Sequence, residues 1–278
     1  MVEMVQNSKL VTVYITTHNR PDLAKRAIQS VLNQSYKCIE LIVCDDGSDW
    51  DSYEEVRSLI SVVGGHYIRI DKASGACAAR NVAIKAAKGE YITGLDDDDE
   101  MLSEHVAILV ENYDSCYSFV CSGYSTVNKG RCKPQRSRHG RIDLSTLLHS
   151  NCIGNQVLTE TKKMLLVGGF DENMPAMQDY DTWIRLVQYF GDALKLHQYT
   201  YLQHTDHEQS RISQDSEKLT SAFNMLRRKN KLLYKKAHLK THQLIEIKHN
   251  GGKLSVQKMI QTINRYNYRL ALALYLKR

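Results

Sequence analysis

KLVTVYITTHNRPDLAKRAIQSVLNQSYKCIELIVCDDGSD, residues 9–49, decides the fold. Leu10 to Ile15 is a short apolar run rich in β-branched residues, the character of a strand buried on both faces. Leu23, Ala27, Ile28, Val31 and Leu32 then recur at helical spacing, and Ile39 to Cys44 forms a second apolar strand. The stretch reads as a βαβ unit. The alternation continues with a helix near Ser52–Ser61, a strand at His66–Ile70, a helix through Ala76–Ala87 and a strand at Tyr91–Leu95. This predicts an α/β fold, a mostly parallel central sheet with helices on both faces, which binds ligands at the carboxyl ends of its strands. Three polar clusters fall at those ends: THN at 17–19, DDGSD at 45–49 and DDDD at 96–99.

Beyond Asp99 the pattern predicts a helix near Ser103–Asn112 and a strand at Tyr117–Cys121. KGRCKPQRSRHGR, from Lys129 to Arg141, has six Lys or Arg, two glycines and a proline, and reads as a mobile loop. A polar turn at Ser150–Asn155, a turn GGFDE at 168–172 and a helix QDYDTWIRLVQYF at 178–190 follow. Asp179 and Asp181 lie in that helix's first turn, where the helix dipole favours anions. Two amphipathic stripes end the chain: Leu219, Phe223, Leu226 and Leu233, then Val256, Ile260, Ile263, Leu270 and Leu274.

Charge divides the chain unevenly. Residues 221–278 hold 14 Lys or Arg and one acid, Glu246, for +13, whereas residues 1–220 hold 23 basic and 30 acidic residues, for −7. Seven cysteines without a CxxC pair favour neither a disulfide framework nor a zinc ribbon, so reduced thiols are expected. The first residues lack a signal-peptide pattern and no run of 18 apolar residues occurs, which places the chain in the cytoplasm as an expectation. The boundaries expected are a domain at 1–215, with halves 9–100 and 101–215, and a basic helical extension at 216–278.

EYITGLDDDDEM, from Glu90 to Met101, delivers five carboxyl groups to the end of an apolar strand, where like charges oppose folding. A hard divalent cation such as Mg²⁺ or Mn²⁺ relieves that repulsion, with substrate phosphates completing its shell. The blander alternative is that Asp99 and Glu100 cap a helix starting near Leu102 and the others are solvated. DDGSD suits either a contact to a nucleotide base or an ordinary Asx turn. SGACAARN, at 74–81, allows close backbone approach, with Arg80 able to meet a diphosphate.

Taken in order, VTVYITTHNR, CDDGS, GACAARN, KGEYITGLDDDD, and GGFDE with QDYDTWIRL resemble the family 2 glycosyltransferases of the GT-A fold, over residues 9–215. The resemblance makes 9–100 a nucleotide-binding half and 101–215 an acceptor-binding half. It implies Thr16, His18 and Asp46 at uracil, Arg80 near the diphosphate, Asp96 at the ribose and Asp98 at Mn²⁺ or Mg²⁺. Asp97 falls on the permissive position of the family's acidic motif. Asp179 matches the general base, with Asp181, Trp183 and Arg185 on the acceptor side, and Gln178 stands where the family has glutamate. His207, followed by Ser210, is implied at the metal or diphosphate in preference to His204. The acidic motif is similar to that of bacterial O-antigen transferases acting on diphospho-undecaprenol-linked sugars.

One base without a nucleophilic carboxylate implies single displacement with inversion. The implied reaction is β1,3-transfer of glucose from UDP-glucose to N-acetylglucosamine, with galactose the alternative. The basic amphipathic extension suggests peripheral attachment to the cytoplasmic face of the inner membrane, the other possibility being that it packs on the catalytic domain. Nucleic acid is not expected as a partner, for no base-stacking platform or groove helix is evident. A metal-dependent phosphotransferase or nuclease lacks a recognisable signature here, and a non-catalytic sugar-nucleotide module would need no base.

Overall fold

The computed structural model describes residues 8–206 and 216–276. Its first sheet has the order β3-β2-β1-β4-β9, formed by β1 (Val11–Thr17), β2 (Ile39–Asp45), β3 (His66–Arg69), β4 (Tyr91–Asp96) and β9 (Thr159–Glu160). The first four are parallel, and β9 runs antiparallel to β4. The period of two explains why their sequences are almost continuously apolar. Val11, Val13 and Ile15 pack on one side with Ala24, Ala27 and Ile28 of helix α1 (Pro21–Leu32) and Val56 and Ile60 of α2 (Trp50–Val63). Tyr14, Ile42 and Cys44 face the other side with Ala79, Ala83 and Ile84 of α3 (Ala76–Ala86). Both faces are covered, as a parallel sheet requires.

The chain lays down β1, β2 and β3 outward, then returns to place β4 on β1's other edge. Loops after β1 and β4 therefore diverge, opening a crevice at this switch point. Past β4 comes not a helix but β5 (Glu100–Met101), and α4 starts only at His105, ending at Asn112. Neither Asp99 nor Glu100 caps it, since its N-cap residue is Glu104.

A second sheet joins β5, β10 (Ala193–His204), β6 (Val120–Asn128) and β7 (Arg131–Pro134), with β8 (Gly140–Ile142) pairing β10. The basic segment 129–141, expected as a mobile loop, thus supplies two strands, β7 against β6 and the start of β8 against β10. Main-chain pairing with β6 needs no apolar pattern, and β7 is exposed throughout. The remaining helices before residue 207 are α5 (Leu144–Leu147), α6 (Thr161–Leu166) and α7 (Gln178–Phe190).

The last four helices are α8 (Ser216–Lys229), α9 (Lys236–His249), α10 (Val256–Thr262) and α11 (Tyr268–Tyr275). Leu219, Ala222 and Leu226 of α8 join the core that holds Trp183 and Phe170, so the first stripe is spent inside the fold. On α9, Thr241 meets His149 Nδ1 at 2.9 Å and His242 Nε2 meets the Leu148 carbonyl at 2.9 Å. All seven cysteines are free. Among the described residues no helix is long and apolar enough to cross a membrane.

Candidate active site

The crevice is lined first by the loops after β1 and β2. They are stitched together: His18 Nδ1 lies 2.8 Å from the Asp46 carbonyl, the Asn19 amide donates to Ser48 Oγ at 2.9 Å, and the Asp49 amide donates to Asn19 Oδ1 at 2.7 Å. Thr16, the last but one residue of β1, lies just inside, buried. Asp45 is wholly interior and accepts from Ser48, Tyr67 and Arg69, an Asx-type anchor. Its neighbour Asp46 accepts the amides of Ser74 (2.7 Å) and Gly75 (2.8 Å) and so fixes the entrance to α3. Gly47, at φ +70°, lets the turn pass 2.6 Å from the Ala73 nitrogen, measured to where a Cβ would stand.

The four aspartates have four surroundings. Asp96 Oδ1 accepts from Arg80 (3.0 Å) and Gln156 (2.9 Å), and its Oδ2 from Asn155 (3.2 Å). Asp97, 1% exposed, is clamped by Arg20, whose Nε donates to Oδ2 at 3.0 Å. Burial pushes its carboxyl up to about 6 against the pull of Arg20. Asp98 keeps its side chain 14% exposed, against 20% for Asp96, with Arg20 at 3.9 Å and its carbonyl held by Arg26 at 2.5 Å. Asp99 is fully buried and accepts from the Tyr201 hydroxyl (2.9 Å) and the His204 amide (3.0 Å) on β10.

Carboxylate oxygens of Asp96, Asp98 and Asp99 lie within 4.8 Å of one another. An all-oxygen set of this kind suits a hard divalent cation. Asp98 and Asp96 are the residues turned to the crevice, while Asp99 is committed to β10. His207 lies outside the described residues. His204 is paired with Glu100 through Nε2 at 2.7 Å.

Across the crevice stands Asp179, in the first turn of α7. Its Oδ2 accepts from Asn151 Nδ2 at 2.9 Å. Asn151 Oδ1 is occupied by the Ile153 amide at 3.1 Å, which leaves the amide nitrogen to point at Asp179. Burial pushes the Asp179 carboxyl up to about 6, and the positive charge of Arg80 pulls against it.

The same loop, 151–156, therefore touches both sides of the site: Asn151 holds Asp179, while Asn155 and Gln156 hold Asp96. It is pinned from behind. Lys195 of β10, 1% exposed, donates to the carbonyls of Cys152 (2.6 Å) and Ile153 (2.7 Å), and Trp183 Nε1 donates to that of Gly154 (3.0 Å). Gly94 of β4 lets Gln156 in, because a Cβ there would collide with Gln156 Oε1 and stand 2.5 Å from the Tyr14 ring.

Three residues expected to face an acceptor are turned inward instead. Trp183 is buried between Phe119 and Phe170, at ring separations of 5.6 and 6.0 Å. Asp181 is buried, paired with Arg185 at 2.9 Å and with Lys229 of α8 at 2.7 Å. Arg185 donates to the Val167 carbonyl and, at 2.8 Å, to that of Gly169. A helix carrying Asp179 on its open side must seat its other sides in the core; Trp183 and Asp181 do so, and Arg185, 18% exposed, closes over them at the pocket beside Lys229. Arg20, Asn151, Asn155, Gln156 and Lys195 escape the sequence reading. Lys195 left one signal, an inward position in the apolar start of β10.

The profile of the family described as glycosyl transferase family 2 matches residues 12–172. The chain is 34% identical over 238 residues to the putative colanic acid biosynthesis glycosyl transferase WcaA of Escherichia coli K12, covering 81% of this chain and 82% of that one. It is 28% identical over 186 residues to the E. coli UDP-Glc:alpha-D-GlcNAc-diphosphoundecaprenol beta-1,3-glucosyltransferase WfgD, covering 64% and 70%. Among solved structures, the mannosyltransferase PcManGT of Pyrobaculum calidifontis, in complex with GDP-Man and Mn²⁺, superposes with a TM-score of 0.66 at 16% identity, covering 98% and 82%.

Proposed function

The chain belongs to glycosyl transferase family 2, and we propose that it is an inverting hexosyltransferase that passes a sugar from UDP to N-acetylglucosamine on diphospho-undecaprenol. The sugar would be glucose in β1,3 linkage, with galactose the alternative donor, and the product an O-antigen or related repeat unit. The activity for which the E. coli relative WfgD is named supports donor, acceptor and linkage.

One observation carries the mechanism: a partly buried carboxylate, Asp179, stands in the field of Arg80 and Asp96 with its proton affinity raised to about 6. Such a group is mostly ionised at neutral pH yet more basic than an ordinary aspartate, which suits a general base. The acceptor hydroxyl oxygen bonds to the sugar's C1 as its proton passes to Asp179. The bond from C1 to the diphosphate oxygen breaks, its electron pair leaving with UDP. A single displacement inverts the α-linked donor to a β product.

In this reading Thr16, His18 and Asp46 hold uracil, Arg80 meets the diphosphate and Asp96 the ribose. Asp46 keeps lone pairs for a base N–H beside the two amides it already accepts. Asp98, with Asp96, would hold Mn²⁺ or Mg²⁺, which when bound neutralises charge on the leaving diphosphate. A lipid-linked acceptor would be met at the cytoplasmic face of the inner membrane.

A screen of UDP-sugars against a synthetic N-acetylglucosamine-diphosphate-lipid, followed by linkage analysis, tests the assignment. UDP-glucose giving a β1,3 product is expected. Transfer only from another nucleotide sugar, or an α product, contradicts it.

A further inference from the structure

Helices α10 and α11 are apolar on two sides. Their inner sides close a small core in which Ala271 and Leu274 of α11, with Met259 of α10 and Leu254 just before it, pack on Leu244 of α9. On the outer sides, Val256, Ile260 and Ile263 follow one helical line, and Tyr268, Leu272 and Tyr275 another, with Leu276 beside it. All seven are exposed, Ile260 to 69%. Single exposed apolar residues are ordinary, but seven on two packed helices within residues 256–276 mark a docking surface.

Charge selects the occupant. Residues 247–278 contain Lys248, Lys253, Lys258, Arg265, Arg269, Lys277 and Arg278 and no acid. The preceding acid, Glu246, is spent on Arg227 at 2.9 Å. A second copy of this chain would bring the same positive field to the same face, so self-association there sets like charges together. An anionic bilayer complements both properties, taking the aliphatic stripes into its boundary and the cations at its phosphates. Tyrosines on the outer line suit that boundary, with an apolar ring and a polar tip.

We propose that the outer faces of α10 and α11 dock this protein on an anionic lipid surface. The α8 stripe takes no part, for Leu219 and Leu226 are interior. The proposal deepens the reading of a lipid-linked acceptor and rests on that reading for its purpose, not for its geometry.

The test uses the full-length protein, sedimented with phosphatidylcholine vesicles with and without 30% phosphatidylglycerol. Binding should be at least about tenfold stronger with the anionic lipid, and Ile260→Glu/Leu272→Glu should lower it at least about tenfold. Ile260→Ser/Leu272→Ser, which adds no charge, should weaken it less. Both variants should keep the wild-type melting temperature and full transfer to a short-chain acceptor in solution. Wild-type protein that ignores anionic vesicles, or glutamate variants that bind like wild type, overturn the proposal. So does a wild-type dimer that these variants dissociate without vesicle binding. Absent transfer to the short-chain acceptor by wild type would instead remove the functional reading and leave the vesicle result standing.

Discussion

Asp97 and Asp98 are neighbours with opposite surroundings. Asp97 is buried against Arg20, and Asp98 looks outward with weaker help from the same arginine. In the family's motif Asp97 holds the permissive position, but here it is a structural ion pair. Removing it leaves Arg20, about a quarter exposed, without its main partner. Asp97→Ala should cost on the order of 2 kcal/mol and lower the melting temperature by about 5 °C, with transfer weakened through the shifted loop. Asp98→Ala should abolish transfer at an unchanged melting temperature. Thermal unfolding and UDP release, measured on both variants, separate the two roles; equal melting-point losses would show that the burial difference does not matter. Four identical letters could not reveal this division. It is decided by Arg20, Tyr201 and His204, which the fold brings in from β10 and from the start of α1.

Loop 151–156 is the element on which both halves of the site hang. Asn151 donates to the Asp179 carboxylate and so favours its ionised form. The acidic limb of the wild-type rate profile should fall near pH 6, activity being lost below it as Asp179 takes up a proton. Asn151→Leu should move that limb to higher pH, because the charged form loses a donor. A pH profile of kcat/KM on both proteins decides the matter, and an unmoved limb would separate Asn151 from the base.

What could be read of the elements follows from their periodicity. β1, α1 and β2 carry clean periods of two and 3.6 and were legible from residues 9–49. β10 was not, since its register shifts between Lys195 and Tyr201 and its alternation breaks there. β7 was missed because an exposed edge strand pairs through its backbone alone. The loop 151–156 showed only polarity, and its anchors lie about 30 to 60 residues away, at Trp183, Lys195 and Asp96.

At the scale of the molecule, the basic C-terminal helices divide between two jobs. α8 completes the core, and its Lys229 reaches Asp171 and the buried Asp181 on the helix that carries Asp179. Truncation after Asp215 should therefore aggregate, since it bares the partners of Leu219, Ala222 and Leu226 and strips Asp181 of one cation. A soluble, active truncated protein would contradict that view. Amphipathic spacing marked both tail stripes equally in the sequence, and only packing tells that the first is interior and the second divided, with Val256, Ile260 and Ile263 outward but Leu270 and Leu274 turned to the small core.

All three scales converge on Asp179, whose position is set by Asn151 at its side and by the buried residues of α7 beneath it. The most direct measurement compares Asp179→Ala with wild type for UDP binding by calorimetry and for sugar transfer to the diphosphate-lipid acceptor. The account predicts UDP affinity within about twofold of wild type and transfer reduced by about 10²–10⁴-fold. Transfer within a few-fold of wild type would contradict it.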